Sequence, residues 1–214
     1  MRVHYPQTLM SQPARIPLKT AQQRPIGNHA LQQRVEAAIL EAAARLLAHA
    51  GGQASMNDVA AAAGVARATV YRYFPSRQAL LDRLAELAVT DAGTRLASAR
   101  IEEVKPDEGV TRAVRALVDV GDYFIALARE RIRPAPEEFQ NNIAGPLRRL
   151  FERAQASGDI RADVPSAWLT ESLVALVVGA LSATPALGRE DSIAAITSMF
   201  LDGARIRSPS NVAP

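Results

Sequence analysis

Apolar residues recur at every third or fourth position along most of the chain, which is the spacing of one face of an α-helix. The first such run begins at Leu31 and stops at Gly51–Gly52. Its inward positions follow one another at spacings of three and four: Val35, Ile39, Ala42, Leu46 and Ala50. No segment shows the period-two alternation of a β-strand, and there is no internal repeat, so the sequence predicts an all-α fold.

Two short helices are predicted next. Ser55 is a favourable N-cap, and Asp58 three residues later gives an imperfect capping box, because Glu or Gln is the usual partner. Gly64 permits a tight turn, and a third helix ends at Phe74 because Pro75 disfavours helical geometry in the residue before it. A supporting helix, a short helix, a glycine turn and a second short helix make a helix-turn-helix, whose last helix enters the major groove of DNA.

The residues after Pro75 also follow a helical pattern. Ser76 is placed to cap a fourth helix, and stretches that contain proline or glycine separate the later helices. The helices predicted in this part cover residues 77–99, 108–130, 146–156, 166–183 and 190–205.

The predicted helix 166–183 is apolar on nearly every side and must therefore be covered all round. A penultimate helix of a small domain meets its own core on one side only. We therefore expect a homodimer, with this helix and the last one forming a four-helix bundle across a two-fold axis; the alternative is a central position within a monomer. The residues predicted at the dimer interface are Leu173, Val177, Ala180, Leu181, Ile196 and Phe200.

Positive charge is concentrated in the first half of the chain. Residues 1–100 hold 12 Lys and Arg against 6 Asp and Glu, whereas residues 101–214 hold 13 against 16. This asymmetry indicates an anionic partner for the first half only. Residues 1–30 carry four prolines, four basic residues and no acid, so we expect a disordered arm that either contacts DNA or has no partner.

Composition excludes several other classes of protein. The absence of cysteine excludes disulfides and thiolate metal sites. The longest apolar run, residues 173–181, is far shorter than the roughly 20 residues of a membrane-spanning helix, so a cytoplasmic protein without a membrane partner is expected. The three histidines are scattered, and neither a glycine-rich phosphate loop nor a nucleophile elbow is present, so no enzyme, metal or cofactor is predicted.

The stretch "ARATVYRYF", residues 66–74, carries the chemistry expected of a helix that contacts DNA. Arg67 lies in the first turn, and its planar guanidinium matches the O6 and N7 acceptors of guanine. Thr69, Tyr71 and Tyr73 offer hydroxyls to phosphates. With Val70 inward, the residues that point most directly away from the core are Ala68 and Arg72, so Arg72 rivals Arg67 as the base-reading residue.

Residues on the neighbouring helices extend this predicted contact. Arg77 lies in the first turn of the fourth helix, where its guanidinium and the backbone N–H groups are placed to hold a phosphate. Ser55 occupies the equivalent place on the second helix, and Asn57 is close enough to reach a base.

The segments "VEAAILEAAARLLAHAG" and "SMNDVAAAAGVARATVYRYFPSRQALL" resemble the TetR family of transcriptional repressors. Two departures stand within residues 31–85: Ala66 replaces a common Ser, and Arg77 replaces a common Lys. The resemblance implies a helix-turn-helix domain at residues 31–75, after the arm at 1–30, and a helical ligand-binding and dimerisation domain at 76–207. It also implies that Arg67 reads a base, and that Tyr71, Tyr73 and Arg77 hold phosphates.

The function expected from this resemblance is a ligand-responsive regulator, a repressor rather than an activator, that binds an inverted-repeat operator as a dimer. A small, partly apolar effector would bind in the C-terminal domain and release the DNA. The candidate effector contacts, with ordinary core positions as the alternative, are Tyr123, Phe124, Phe139, Asn142, Phe151 and Trp168. An adaptor that binds only protein has no need of Arg67, Tyr71 and Tyr73 on one short helix.

Overall fold

The computed structural model describes residues 26–50, 53–183 and 187–205, and the fold over these ranges is all-α, as predicted. The helices are α1 (Ile26–Ala50), α2 (Met56–Ala62), α3 (Arg67–Tyr73), α4 (Arg77–Ser98), α5 (Pro106–Val118), α6 (Gly121–Glu130), α7 (Pro136–Phe139), α8 (Gly145–Ala156), α9 (Ser166–Leu181) and α10 (Arg189–Ala204). In the same ranges, none of the helices combines the length and the apolar character needed to span a membrane.

Two apolar cores hold these helices together, and α4 belongs to both. Side chains of α1, α2 and α3 form the N-terminal core, which the first half of α4 completes through Leu80 and Leu84. The second half of α4 packs with α5, α8, α9 and α10 in the C-terminal core. Helix α6 also reaches the N-terminal core, where it buries Ala126 and Leu127. The cores are thus joined through packed helices, and the predicted division near residue 75 stays a prediction.

The first helix is longer than predicted. It begins at Ile26 rather than Leu31, so residues 26–30, which were expected in the disordered arm, are helical. Residues 1–25, the remainder of that predicted arm, lie outside the described residues. The next three helices start and stop close to the predicted positions, with Ser55 and Ser76 as their N-caps on α2 and α4.

The prediction of a single helix over residues 108–130 is wrong, because the structure has two helices there, α5 and α6. The backbone leaves helical geometry at Val120, with φ −112° and ψ 15°. Gly121 follows, and a Cβ at this position would collide with the Leu181 side chain of α9. Both helices keep apolar residues on the inner side, so periodicity alone could not reveal the break.

Helix α8 confirms the helix predicted over residues 146–156, and α7 lies before it in the chain. Between α7 and α8 the chain forms a π-helical segment, Gln140–Ala144, in which the Gly145 N–H donates to the Gln140 carbonyl. Pro146 has no N–H to donate, so the wider turn accommodates it without ending the helix. A Cβ at Gly145 would lie 2.8 Å from the Gln140 oxygen, which explains why glycine fits there.

Candidate nucleic-acid interface

The start of α2 is fixed by a complete capping box. The Ser55 Oγ accepts from the Asp58 N–H at 3.3 Å, and the Asp58 carboxylate accepts from the Ser55 N–H at 2.8 Å. The Ser55 hydroxyl and the Ser55 N–H both donate to the Asp58 carboxylate, and these two hydrogen bonds hold the pKa of Asp58 below its ordinary value. The Ser55 hydroxyl donates to the Asp58 carboxylate at 2.7 Å and so belongs to the capping box. The phosphate contact predicted for Ser55 stays a prediction.

The turn between α2 and α3 depends on Gly64, which adopts φ +66°. This left-handed conformation is costly for residues that carry a Cβ. The Val65 N–H then donates to the Ala60 carbonyl at 3.0 Å and closes the turn. Val70 and Phe74 are buried in the N-terminal core, as predicted, and they fix the direction in which α3 presents its outer face.

The outer face of α3 carries two arginine–tyrosine pairs. The Arg67 guanidinium lies 5.2 Å from the centre of the Tyr71 ring, and the Arg72 guanidinium lies 5.4 Å from that of Tyr73. Arg67, Tyr71 and Arg72 are exposed, while Tyr73 is half-buried. Among the residues that the structure describes, neither guanidinium takes part in an ion pair or a hydrogen bond. Stacking on tyrosine restricts each arginine while leaving its N–H groups directed at solvent.

The remaining predicted positions differ in how accessible they are. Asn57 on α2 and Ala68 on α3 are exposed, and Thr69 is half-buried. Ala68 offers only a methyl group, which suits contact with a thymine methyl or with the sugar. These positions, together with the two arginine–tyrosine pairs, constitute the candidate interface.

Arg77 is engaged with other groups of the chain, and its predicted phosphate contact stays a prediction. Its guanidinium donates to the Ala54 carbonyl and, at 2.9 Å, to the carboxylate of Glu130 at the end of α6. Its side chain is 31% exposed and that of Glu130 only 8% exposed. Sequence reasoning missed Glu130, because the residue is 53 positions away from Arg77 and lies on a different helix.

Comparisons with known proteins agree with this geometry. Residues 39–84 match the family model of bacterial regulatory proteins, tetR family. The transcriptional repressor LfrR of Mycolicibacterium smegmatis is 30% identical over 178 residues, which cover 80% of this chain and 91% of the relative. The chain belongs to the TetR family.

Other members agree in sequence and fold. The transcriptional regulator NfxB of Pseudomonas aeruginosa is 27% identical over 161 residues, which cover 71% of this chain and 85% of NfxB. The crystal structure of LfrR from Mycobacterium smegmatis in complex with proflavine has a TM-score of 0.65 at 28% identity and covers 82% of this chain and 99% of that one. PfmR from Thermus thermophilus shares the fold, with a TM-score of 0.59 at 22% identity. The match covers 79% of this chain and 96% of PfmR.

TetR-family membership makes the chain a DNA-binding transcriptional regulator, and it confirms the prediction that the chain is not an enzyme. The family also places the helix-turn-helix in the N-terminal part of an all-helical fold, as predicted.

In this TetR-family chain, most of the residues predicted at the dimer interface face the chain's own core. Leu173 and Val177 of α9 and Ile196 and Phe200 of α10 are buried in the chain's own C-terminal core, and Ala180 and Leu181 are half-buried. The outward face instead carries Trp168, which is 65% exposed, and Met199, which is 63% exposed. An all-apolar helix gives no sequence signal for which side its own core covers.

The six predicted effector contacts are not gathered in one place. Phe151 is fully buried, with its ring centre 5.3 Å from that of Phe200, and is a core residue; Trp168 lies on the outer surface. Asn142 donates to the Glu138 carbonyl at 3.0 Å and lines an outer cavity of about 370 Å³. Phe139 packs, half-buried, against the C-terminal core, while Tyr123 and Phe124 lie where the two cores meet.

Tyr123 lines a cleft of about 260 Å³ between α1, α4 and the α5–α6 junction. The charged residues around this cleft are Glu41, Arg45, Asp91, Arg95, Asp119 and Asp122. Burial, then the charges of Glu41 and Asp91, raise the pKa of the Tyr123 phenol, so its proton is retained. Sequence analysis missed these carboxylates, since they come from separate helices and each one alone resembles an ordinary surface residue.

Proposed function

We propose that this TetR-family chain is a ligand-responsive repressor that binds an inverted-repeat operator as a homodimer through α3. The observation that carries the proposal is the pair of arginines stacked on tyrosines, on the outer face of a helix that Val70 anchors to the core. Arg67 is proposed to contact a guanine, with Arg72 beside it. Thr69, Tyr71 and Tyr73 donate to phosphates, and Asn57 approaches a base edge from α2.

The homodimer is proposed to form through the outward face of α9 and α10. Trp168 and Met199 supply apolar surface there, and the exposed Ala175 and Gly179 allow close approach of a partner helix. Outside its own stretch of helix, none of the described residues places an atom within 4 Å of where a Cβ of Gly179 would stand, so this face has room for a second chain. A two-fold pair of chains presents two α3 helices to major grooves about 34–36 Å apart, or further apart on longer operators.

The effector is proposed to bind in the cleft that Tyr123 lines. Four carboxylates and two arginines surround this cleft, so a partly apolar cation suits it better than an anion does. LfrR was crystallised with proflavine, a molecule of that chemistry, which supports the proposal. A molecule lodged between α1 and α4 would change the angle at which the N-terminal core is held, and therefore the spacing of the two α3 helices. Couplings of this kind typically lower operator affinity by about 5- to 150-fold.

The first test is retardation of a duplex taken from the DNA upstream of the chain's own gene. The wild-type protein is expected to retard that duplex, and Arg67→Ala is expected to lose most of the effect. Retardation that is equally strong with Arg67→Ala would refute the assignment of Arg67 as the reading residue and leave Arg72 as the candidate on α3. Arg148→Ala on α8 removes one positive charge far from α3 and serves as the matched control.

The effector proposal is tested separately, by titrating proflavine fluorescence with the protein. Asp122→Asn removes one carboxylate from the cleft and is expected to weaken proflavine binding, whereas Glu138→Gln, outside the cleft, is expected to leave it unchanged. Equal weakening by both variants, or none by either, would show that the dye binds elsewhere.

A further inference from the structure

The last turn of α6 contacts two helices of the N-terminal core, α1 and α4. Glu130 accepts from Arg77 at the start of α4, and Arg77 also donates to the Ala54 carbonyl just before α2. The neighbouring Arg129 donates to the His49 carbonyl near the end of α1 at 3.1 Å. Ile132 packs on the N-terminal core. The end of α6 therefore contacts α1 and α4, and through Arg77 it is linked to Ala54 ahead of α2.

Arg77 provides the positive charge that faces the carboxylate of Glu130. A carboxylate at the C-terminal end of a helix faces the negative end of the helix dipole, and its near-complete burial removes the water that would otherwise stabilise it. Among the described residues, Arg77 is the one ion-pair partner of Glu130. Withdrawal of the guanidinium would leave a buried carboxylate without a partner, which is strongly unfavourable.

Arg77 therefore has two competing partners when DNA is bound. A phosphate contact made by Arg77 would release about one counterion, so its contribution to affinity falls as the salt concentration rises. Moving Arg77 to that phosphate would sacrifice both the buried pair with Glu130 and the bond to Ala54. We therefore expect Arg77 to remain paired with Glu130 in the DNA complex.

We propose that Arg77 and Glu130 form a positioning pair that holds the end of α6 on the helix-turn-helix, and that Arg77 does not contact a phosphate. The pair fixes the angle of the N-terminal core against α6, the helix that also carries Tyr123. This inference rests on the proposal that α3 is the reading helix, but it assigns Arg77 a role that the family resemblance does not imply.

The test is a double-mutant cycle of Arg77→Gln and Glu130→Gln, with affinity for a duplex of arbitrary sequence measured over a range of salt concentrations. We expect the two single variants and the double variant to lose affinity by the same factor, about fivefold or more. The slope of log affinity against log salt should match that of the wild type. If Arg77 instead holds a phosphate, Arg77→Gln reduces the slope by about 0.9 and Glu130→Gln leaves affinity unchanged or raised, which overturns the proposal.

Arg77→Lys keeps the test decisive if Arg77→Gln does not fold. An ammonium preserves a phosphate contact but cannot span both the Ala54 carbonyl and the Glu130 carboxylate, so the positioning role predicts a loss of affinity at unchanged slope. Unchanged affinity in a folded Arg77→Lys variant would overturn the proposal.

The matched control is the exposed pair of Arg149 and Glu102. These side chains meet at 2.8 Å across 47 residues of sequence, but are 56% and 42% exposed. Their glutamine variants should bind DNA as the wild type does. A wild-type chain that ignores every duplex would refute the proposed function itself, whereas binding that depends on Arg67 but not on Glu130 would refute only this inference.

Discussion

The outer faces of α3 and α9 differ in chemistry although both belong to helices that are anchored to a core on the other side. On α3, the exposed side chains are two arginines, a tyrosine and an alanine, with the arginines stacked on aromatic rings. On α9, the exposed side chains are mainly apolar or small, with Trp168 the largest. The first surface suits an anionic, hydrated partner, and the second suits another apolar surface.

DNA binding depends on both surfaces together. A single seven-residue helix contacts one half-site, and high affinity requires that two such helices bind together. Changes on α9 should therefore have larger effects on DNA binding than changes on α3, even though α9 is remote from the DNA.

The largest effect is expected from Gly179→Glu. A Cβ at this position meets no atom of the described residues outside its own stretch of helix, so the fold should be kept while a charge enters the proposed dimer face. We expect monomers by sedimentation velocity and a loss of DNA affinity on the order of 10²- to 10⁴-fold. Gly179→Ala is the control and should remain dimeric. A Gly179→Glu protein that still sediments as a dimer would place the interface elsewhere.

The next effect is that of Arg67→Ala on α3. Loss of a bidentate contact with guanine should cost about 1–3 kcal/mol of operator binding and relax the preference for that base, with the protein still dimeric. Fluorescence anisotropy on operator duplexes with each base at that position checks this. A uniform loss over all four bases would mean that Arg67 contacts the backbone and that Arg72 is the better candidate reader.

A smaller effect is expected from Tyr71→Phe. The ring that stacks on Arg67 is retained and only the hydroxyl is removed, so the expected loss is that of one hydrogen bond, about 0.5–1.5 kcal/mol. Tyr71→Ala should lose more, because the arginine is then no longer restrained. Equal affinity of the Ala and Phe variants would show that the ring has no role.

The smallest effect concerns the start of α2, which supports α3 from behind. The pKa of Asp58 is lowered in the folded chain, so its contribution to stability is present above the ordinary pKa of 3.8 and is lost as the pH falls through the lowered pKa. Thermal melts at several pH values should show Asp58→Asn less stable than the wild type near neutrality. The difference should vanish in strong acid, and a difference that is constant with pH would contradict the capping role.

Sequence predicted the helix-turn-helix well because its signals are local. Ser55, Gly64, Pro75 and Ser76 fix the ends of α2, α3 and α4 through their own backbone chemistry, and the structure places those ends accordingly. The complete capping box with Asp58 shows that the shorter acid also reaches the N-cap backbone.

The parts that sequence could not predict depend on contacts between distant residues. The break between α5 and α6 requires Leu181 of α9 to approach Gly121, and the role of Arg77 requires Glu130. The outward face of α9 follows from which of its apolar sides meets α5, α6 and α8. Spacing along the chain contains none of this information.

The central claim is that two copies of α3 bind DNA as a symmetric pair, and selection of bound sequences from a random duplex library tests it most directly. The account predicts that the wild-type protein enriches inverted repeats whose half-sites are one helical turn or somewhat more apart, with a guanine in each half-site that Arg67→Ala no longer selects. Enrichment of a single asymmetric site, or no enrichment at low salt, would contradict it.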